Sequence, residues 1–229
     1  MFPFFMYDHT IFILIPAMIF ALYAQGKVKS AFNQYLRVQT RKGYRGYDVA
    51  RAILDKNGLR DVPVELVNGQ LSDHYDPRSK KVRLSSEVYN GSSIASISVA
   101  AHEVGHALQH AHGYAPLALR SAILPISSFG SRAAWFFVIG GIILGAPGLA
   151  DLGILLFGAA VAFTAITLPV EFNASSRAMR LLDEFGFITQ EEYKPAKKVL
   201  NAAALTYVAA MATAVAQLIR LIMIRNRRR

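Results

Sequence analysis

The chain has 229 residues, of which 53% are hydrophobic and only 17% are charged, and its mean hydropathy is +0.31. These values are high for a soluble protein and favour a membrane protein. The formal net charge is +10, but the basic residues flank apolar runs and form no aromatic-interleaved basic motif. This pattern favours contact with anionic lipid over a nucleic-acid partner. The absence of cysteine excludes disulfides and thiolate metal ligands.

The first element is an apolar run from Thr10 to Ala24, which lacks the basic start and the cleavage signal of a signal peptide. We interpret residues 1–25 as a retained transmembrane anchor. Basic residues crowd directly behind it, beginning with Lys27 and Lys29, whereas no lysine or arginine precedes it. The positive-inside rule therefore predicts an N-terminus outside and a following domain in the cytoplasm.

Residues 26–120 are more polar and predict a compact cytoplasmic domain. YDVARAILDKNGL predicts a helix that stops at Gly58. VPVELVNG alternates as a strand does, and LSDHYDPRSKKVRLS predicts two short strands around the turn DPRSK. Ser92 or Ser93 can cap the next helix, which runs through SIASISVAAHEVGHALQHAH and stops at Gly113.

Two further apolar runs, Ala133 to Ala150 and Leu152 to Val170, predict a transmembrane hairpin over residues 121–170 that turns at APGLAD. GGIILG contains a pair of small residues four apart, Gly141 and Gly145, and such pairs let helices pack closely.

The last two segments follow this hairpin. Pro169 is predicted to begin a new helix over residues 171–201, because proline is favoured in the first turn of a helix. Residues 202–229 contain a weaker apolar run and the basic tail RNRRR. This run spans the membrane, lies along its surface or packs as a buried soluble helix. Three spans would keep the tail inside, whereas four would place it outside.

The stretch HEVGHALQH carries the clearest chemistry. His102 and His106 are four residues apart, which on a helix means about 40° and 6 Å, so both imidazoles can reach one ion at about 2.0–2.1 Å. Glu103 stands beside them, where it can accept a proton from a water molecule and pass it to a leaving amine. This arrangement predicts a zinc site with a catalytic glutamate, rather than histidines that only face solvent.

Two residues compete to complete this site. His110 lies about 12 Å along the helix axis from His102, which is too far for one ion to be held by all three histidines. We expect His110 and His112 to be outer or surface groups, or to contact substrate. Glu171 is favoured, because the hairpin before it leaves the membrane face and returns to it. The alternative is that Glu171 only stabilises a helix N-terminus. Two histidines and one carboxylate leave an open fourth position, as in catalytic zinc sites.

Three stretches, LSDHYDPRSKKVRLSSEVY, AAHEVGHALQHAHGY and LPVEFNASSRAMRLL, occur in this order and resemble the YugP-like membrane zinc metallopeptidases of bacteria. The arrangement also resembles HtpX-type proteases, in which two spans separate H-E-x-x-H from a glutamate ligand and the active site faces the cytoplasm. This resemblance implies that His102, His106 and Glu171 are zinc ligands and that Glu103 is the catalytic acid/base.

One departure concerns the position one turn after the glutamate ligand, where related zincins often carry an aspartate that supports a histidine. This chain has Ser175 there, and Asn173 or another acid could substitute. The resemblance also draws attention to DHYDPRSK, because in zincins an edge strand pairs with extended substrate; a plain polar hairpin is the alternative. His74, Arg177 and Tyr207 are equal candidates for substrate contact and for stabilising the oxyanion.

Together these features predict an α+β, mainly helical fold, that of an integral membrane zincin-like metalloprotease with a small β-hairpin or sheet beside the H-E-x-x-H helix. The predicted function is a zinc metalloendopeptidase of the bacterial cell membrane. It binds one Zn²⁺ per chain, faces the cytoplasm and cleaves membrane or membrane-proximal polypeptides. One alternative is a catalytically inactive, zinc-stabilised membrane scaffold that binds a protein partner. Polar residues before the motif argue against a second alternative, an intramembrane protease.

Overall fold

The computed structural model describes residues 9–226. They form two units. The helical unit consists of residues 9–24, 118–168 and 206–226, and the mixed unit consists of residues 25–117 and 169–205 and contains the sheet. Long helices dominate and a small sheet accompanies them, so the predicted α+β, mainly helical class is confirmed.

The elements follow one another in a simple order. After a 3₁₀ turn at His9–Ile13, the first helices are α1 (Leu14–Leu36) and α2 (Gly46–Lys56). The strands are β1 (Val64–Val67), β2 (His74–Asp76) and β3 (Lys81–Ser85). The remaining helices are α3 (Ser86–Tyr89), α4 (Ile94–Ala111), α5 (Ala115–Ile143), α6 (Pro147–Glu184) and α7 (Gln190–Asn226).

Strand β3 is the central strand of the sheet; it pairs with β1 in parallel and with β2 in an antiparallel manner. Strands β2 and β3 form the hairpin that the turn DPRSK predicted, with Asp76 opposite Lys81. Asp76 holds the turn, since its carboxylate accepts hydrogen bonds from the Arg78 N–H at 2.9 Å and from the Ser79 hydroxyl at 2.6 Å. Strand β2 is therefore an edge of this sheet.

Helix α4 has the start and the end that its sequence predicted. Of the two candidate caps, Ser93 occupies the N-cap, and its hydroxyl oxygen accepts a hydrogen bond from the Ser96 N–H at 3.1 Å. The helix ends at Ala111, and Gly113 just beyond it has a φ of +62°, which favours glycine.

A single core holds the mixed unit together. Helix α4 packs against α2 and the sheet, and this core buries large apolar side chains from α2, β3, α4 and α6, among them Ile53, Leu84, Ile97, Leu108 and Leu182. This packing fixes the orientation of α4, and with it the positions of His102 and His106, which lie outside the apolar core.

The helical unit contains closely packed apolar helices. A Cβ on Gly141 of α5 would lie 2.5 Å from the Ala150 nitrogen of α6, and one on Gly153 would lie 2.7 Å from the Ala134 oxygen, so the two backbones nearly touch. Gly145, the other half of the predicted pair, instead lies in the turn between these helices with a φ of +62°. Large apolar side chains such as Phe136 stay exposed, as lipid-facing residues do.

Among residues 9–226, four helices are long and apolar enough to cross a membrane: those within His9–Leu36, Ala115–Ile143, Pro147–Glu184 and Gln190–Asn226. Helix α7 begins well before residue 202, and by its length and composition it is a fourth candidate span.

The predicted helix start at Pro169 is wrong. Helix α6 runs without a break from Pro147 to Glu184, with Pro169 inside it, and the chain breaks instead between α6 and α7. Proline is favoured at helix starts because it lacks an N–H, but within a long apolar helix this omission removes only one backbone hydrogen bond and is tolerated. Glu171 therefore lies deep within a helix, and not in a first turn.

Candidate metal centre

Three buried side chains of the mixed unit converge on one point. The Nε2 atom of His102 lies 3.3 Å from Oε2 of Glu171, and the Nε2 atom of His106 lies 3.5 Å from the same oxygen. One ligand atom from each residue lies within 4.8 Å of the others. In a tetrahedral site with bonds of about 2.0–2.1 Å, ligand atoms are about 3.3 Å apart. The donor set and its spacing therefore fit a zinc ion.

The carboxylate of Glu171 is the most deeply buried member, with 2% of the residue exposed. A carboxylate away from water is costly unless a cation or strong donors compensate it. Two imidazoles face it here, and a divalent cation between the three groups would compensate it further. The structure thus brings together the three residues that the sequence analysis grouped, although Glu171 lies 69 positions after His102.

Glu103 lies beside the histidines and is 8% exposed. Its charge acts on the neighbouring groups. Burial opposes protonation of His106, but the hydrogen bond with Glu171 and the negative charges of Glu103 and Glu171 outweigh it, so the pKa of His106 is raised. A proton would therefore compete with a metal ion for this imidazole.

Both histidines are oriented through their Nδ1 atoms, and the sequence had left these partners open. Nδ1 of His102 lies 3.2 Å from the Ser175 hydroxyl, so the residue that replaces the usual aspartate still contacts a histidine. Nδ1 of His106 lies 3.0 Å from Oε1 of Gln109. Hydrogen bonds at Nδ1 leave the Nε2 atoms directed at Glu171 and available to a metal.

Sequence reasoning missed Gln109, although a signal was available. Gln109 follows His106 by three residues and His102 by seven, so on a helix it shares their face. Asn173 was the other candidate to replace the aspartate that orients a histidine. Its side chain instead accepts a hydrogen bond from Gln109 at 2.9 Å.

Gly105 allows α4, which carries the two histidines, and α6, which carries Glu171, to approach each other. A Cβ at this position would lie 2.8 Å from the carbonyl oxygen of Ala174 on α6. The glycine inside HEVGH thus faces α6, one turn beyond Glu171. The close contact brings the carboxylate within reach of the histidines.

Strand β2 is fastened to α4 on the side of Glu103. The Tyr75 hydroxyl lies 2.8 Å from Nδ1 of His110. Burial, and then the charges of Asp76 and Asp61, raise the pKa of Tyr75 to about 12, so it stays a neutral phenol. His110 is therefore bound to the edge strand.

Asp73 ties the beginning of β2 to the end of β3. Its carboxylate accepts hydrogen bonds from the Ser85 N–H at 2.7 Å and from the Ser85 hydroxyl at 3.1 Å. Burial raises the pKa of Asp73, the two bonds to Ser85 lower it, and the charge of Glu103 raises it further. Asp73 thus joins β2 to β3, whereas the contact between Tyr75 and His110 joins β2 to α4.

The three residues predicted to contact substrate or the oxyanion lie in different places. His74 is exposed on β2, with Nδ1 2.8 Å from the Ser72 carbonyl oxygen. Arg177 donates a hydrogen bond to Asn173 at 2.8 Å and lies 3.4 Å from Nδ1 of His112. Tyr207 lies on α7 in the helical unit. Their roles stay predictions.

Comparison with known proteins gives two matches. The family described as "Putative neutral zinc metallopeptidase" matches residues 10–226. A protein of Bacillus subtilis (strain 168) named "Putative membrane protease YugP" is 53% identical over 214 residues, which cover 93% of this chain and 95% of that protein. No solved structure matches the chain significantly. The similarity extends over both units.

Proposed function

Since the chain belongs to this family of neutral zinc metallopeptidases, we propose that it is a membrane-bound zinc metalloendopeptidase that binds one Zn²⁺ per chain. His102, His106 and Glu171 hold the zinc, and Glu103 is the catalytic acid/base. The observation that carries this proposal is the spacing of the three buried ligand atoms, at 3.3 and 3.5 Å from the shared carboxylate oxygen, which matches the edge of a tetrahedral zinc site.

The chemistry divides among these residues. When bound, zinc supplies a Lewis acid that polarises a peptide carbonyl and acidifies water. The carboxylate of Glu103 accepts a proton from the attacking water and delivers it to the nitrogen of the leaving amine. A C–O bond forms at the peptide carbonyl and the C–N bond breaks. Because Glu103 is nearly buried, bulk water does not compete for this proton.

Edge strand β2 supports recognition of an extended polypeptide. An extended substrate can add a strand to an exposed sheet edge through main-chain hydrogen bonds, which give affinity with little sequence preference. The contact between Tyr75 and His110 holds this edge against α4, the helix that carries Glu103, and Asp73 fixes the start of β2 to β3. We infer from the four candidate spans that the substrates are membrane or membrane-proximal polypeptides.

The charge distribution supports a location in the bacterial cell membrane, with the active site facing the cytoplasm. Lys27 and Lys29 follow the first apolar run directly, and most of the other basic residues belong to the mixed unit, as the positive-inside rule requires of a cytoplasmic part. Four spans put the C-terminal tail outside. Arg225 at the end of α7 is paired with Asp151 at 2.6 Å, so part of the positive charge at the C-terminal end of the chain is compensated.

The test compares wild type with Glu103→Gln, with Glu87→Gln as the matched control in an exposed position. The full-length proteins are purified in detergent, zinc is measured by elemental analysis, and cleavage of casein is followed. We expect all three to bind about one zinc and only Glu103→Gln to lose cleavage, by about 10²-fold or more. Zinc in all three without cleavage in any would refute the peptidase and favour the scaffold.

A further inference from the structure

We propose that Gln109 is a positioning residue that sets the tautomer of His106 and makes this setting depend on the segment that carries Glu171. The inference rests on the zinc site of the proposed function. Gln109 is fully buried on α4, and its side-chain amide contacts three groups: Nδ1 of His106, the carbonyl oxygen of Val170, and Oδ1 of Asn173.

The orientation of the amide follows from its partners. Its Nε2 end lies 2.8 Å from the Val170 carbonyl oxygen, which can only accept a hydrogen bond, and 2.9 Å from Oδ1 of Asn173. The Nε2 end of Gln109 must therefore face these two oxygens, since a carbonyl oxygen turned toward Val170 would leave two acceptors in contact. This leaves Oε1, an acceptor, 3.0 Å from His106.

The tautomer of His106 follows in turn. Because Oε1 of Gln109 can only accept, Nδ1 of His106 must carry the proton that it donates. In the neutral imidazole the lone pair then resides on Nε2, the atom 3.5 Å from Glu171. In this form Nε2 of His106 can bind a metal ion that lies between the ring and the Glu171 carboxylate.

The chain that sets this tautomer begins next to the third ligand. Val170 immediately precedes Glu171 on α6, and Asn173 follows it by two residues. One short segment of α6 thus supplies the carboxylate ligand and, through Gln109, the correct form of His106. Neither partner bears a charge, so the coupling acts through hydrogen-bond direction and not through added negative charge.

The outer end of this network is also held in place. Oδ1 of Asn173 accepts a second hydrogen bond from Nε of Arg177 at 2.8 Å, which fixes the Asn173 amide with its oxygen toward Gln109. The Gln109 amide therefore meets two fixed acceptors, and rotation by half a turn would cost both bonds.

The experiment measures metal affinity of the full-length protein in detergent by competition with a zinc chelator, and the visible spectrum after substitution with Co²⁺. Gln109→Met keeps the length of the side chain and removes its hydrogen bonds. We expect zinc affinity to fall by about 10- to 100-fold, as for other partners of metal-bound histidines, and the Co²⁺ spectrum to change because the His106 ring is no longer held.

Ser98→Ala is the matched control, since Ser98 is buried in the same helix and donates a hydrogen bond only within it, to the Ile94 carbonyl oxygen at 2.6 Å. It should leave metal affinity and spectrum unchanged. Should Gln109→Met not fold, Gln109→Asn retains the amide but is too short to span from His106 to Val170, and the same losses are expected. Zinc affinity within about twofold of wild type, with an unchanged Co²⁺ spectrum, would overturn the inference. A wild type without zinc would instead refute the proposed function.

Discussion

Gly105 offers the sharpest test of how α4 and α6 meet at the proposed zinc site. In Gly105→Ala the new Cβ would lie 2.8 Å from the carbonyl oxygen of Ala174 and 3.3 Å from its Cα. Both are backbone atoms, so they cannot rotate away as the end of a side chain does. An ordinary C···O contact is about 3.3 Å or longer, so α4 and this part of α6 must separate by about 0.5 Å.

This separation has a larger effect on metal binding than on folding. Ligand distances in a metal site tolerate about ±0.2 Å, and Glu171 lies one turn from Ala174, so a shift of about 0.5 Å should weaken zinc binding about tenfold or more. Alanine gains about 1 kcal/mol of helix propensity, whereas overpacking costs about 1–3 kcal/mol. The net loss of unfolding free energy is therefore about 0–2 kcal/mol.

The assay combines chelator competition with thermal unfolding of the full-length protein in detergent. Gly26→Ala is the control, because Gly26 lies inside α1 and, among the described residues, no heavy atom beyond the neighbouring helix backbone comes within 4 Å of the position its Cβ would take. It should leave zinc affinity unchanged and raise the unfolding free energy by about 0.5–1 kcal/mol. Zinc affinity of Gly105→Ala equal to that of wild type would refute the close approach of α4 and α6 at the site.

Two further predictions concern the same site. In Ser175→Asp a carboxylate replaces the hydroxyl near Nδ1 of His102 and makes this imidazole more basic, so zinc affinity should rise by up to about tenfold. The control is Ser176→Asp at the neighbouring exposed position, which should leave zinc affinity unchanged. Weaker zinc binding by Ser175→Asp would contradict this reasoning. The second concerns pH. Because the pKa of His106 is raised in the folded protein, protonated His106 stabilises the metal-free fold. This stabilisation is fully present at pH values below the pKa of histidine in the unfolded chain, about 6.5, and is lost as the pH rises through the pKa in the folded protein. Zinc needs the neutral ring, so the gap in unfolding temperature between zinc-loaded and chelator-treated protein should narrow as pH falls from about 8 to 6. A constant gap would count against His106 as a ligand.

The elements that the sequence predicted well are those with strong local signals. The cap at Ser93, the turn DPRSK and the glycine at the end of α4 each act within a few residues, and the structure has each of them in place. The same local reasoning failed at Pro169, because a preference of proline for helix starts is weaker than the tendency of a long apolar segment to remain helical.

The sequence by itself determined the apolar helices, the strands of the small sheet and the pair His102 and His106, since periodicity and spacing along one helix decide these features. Only the tertiary structure decided which distant side chains contact these two histidines. Glu171 is 69 residues from His102, and Gln109 reaches Val170 across 61 residues. Such contacts depend on how closely two helices pack, and that distance is decided by the absence of a side chain at Gly105 against the backbone of α6.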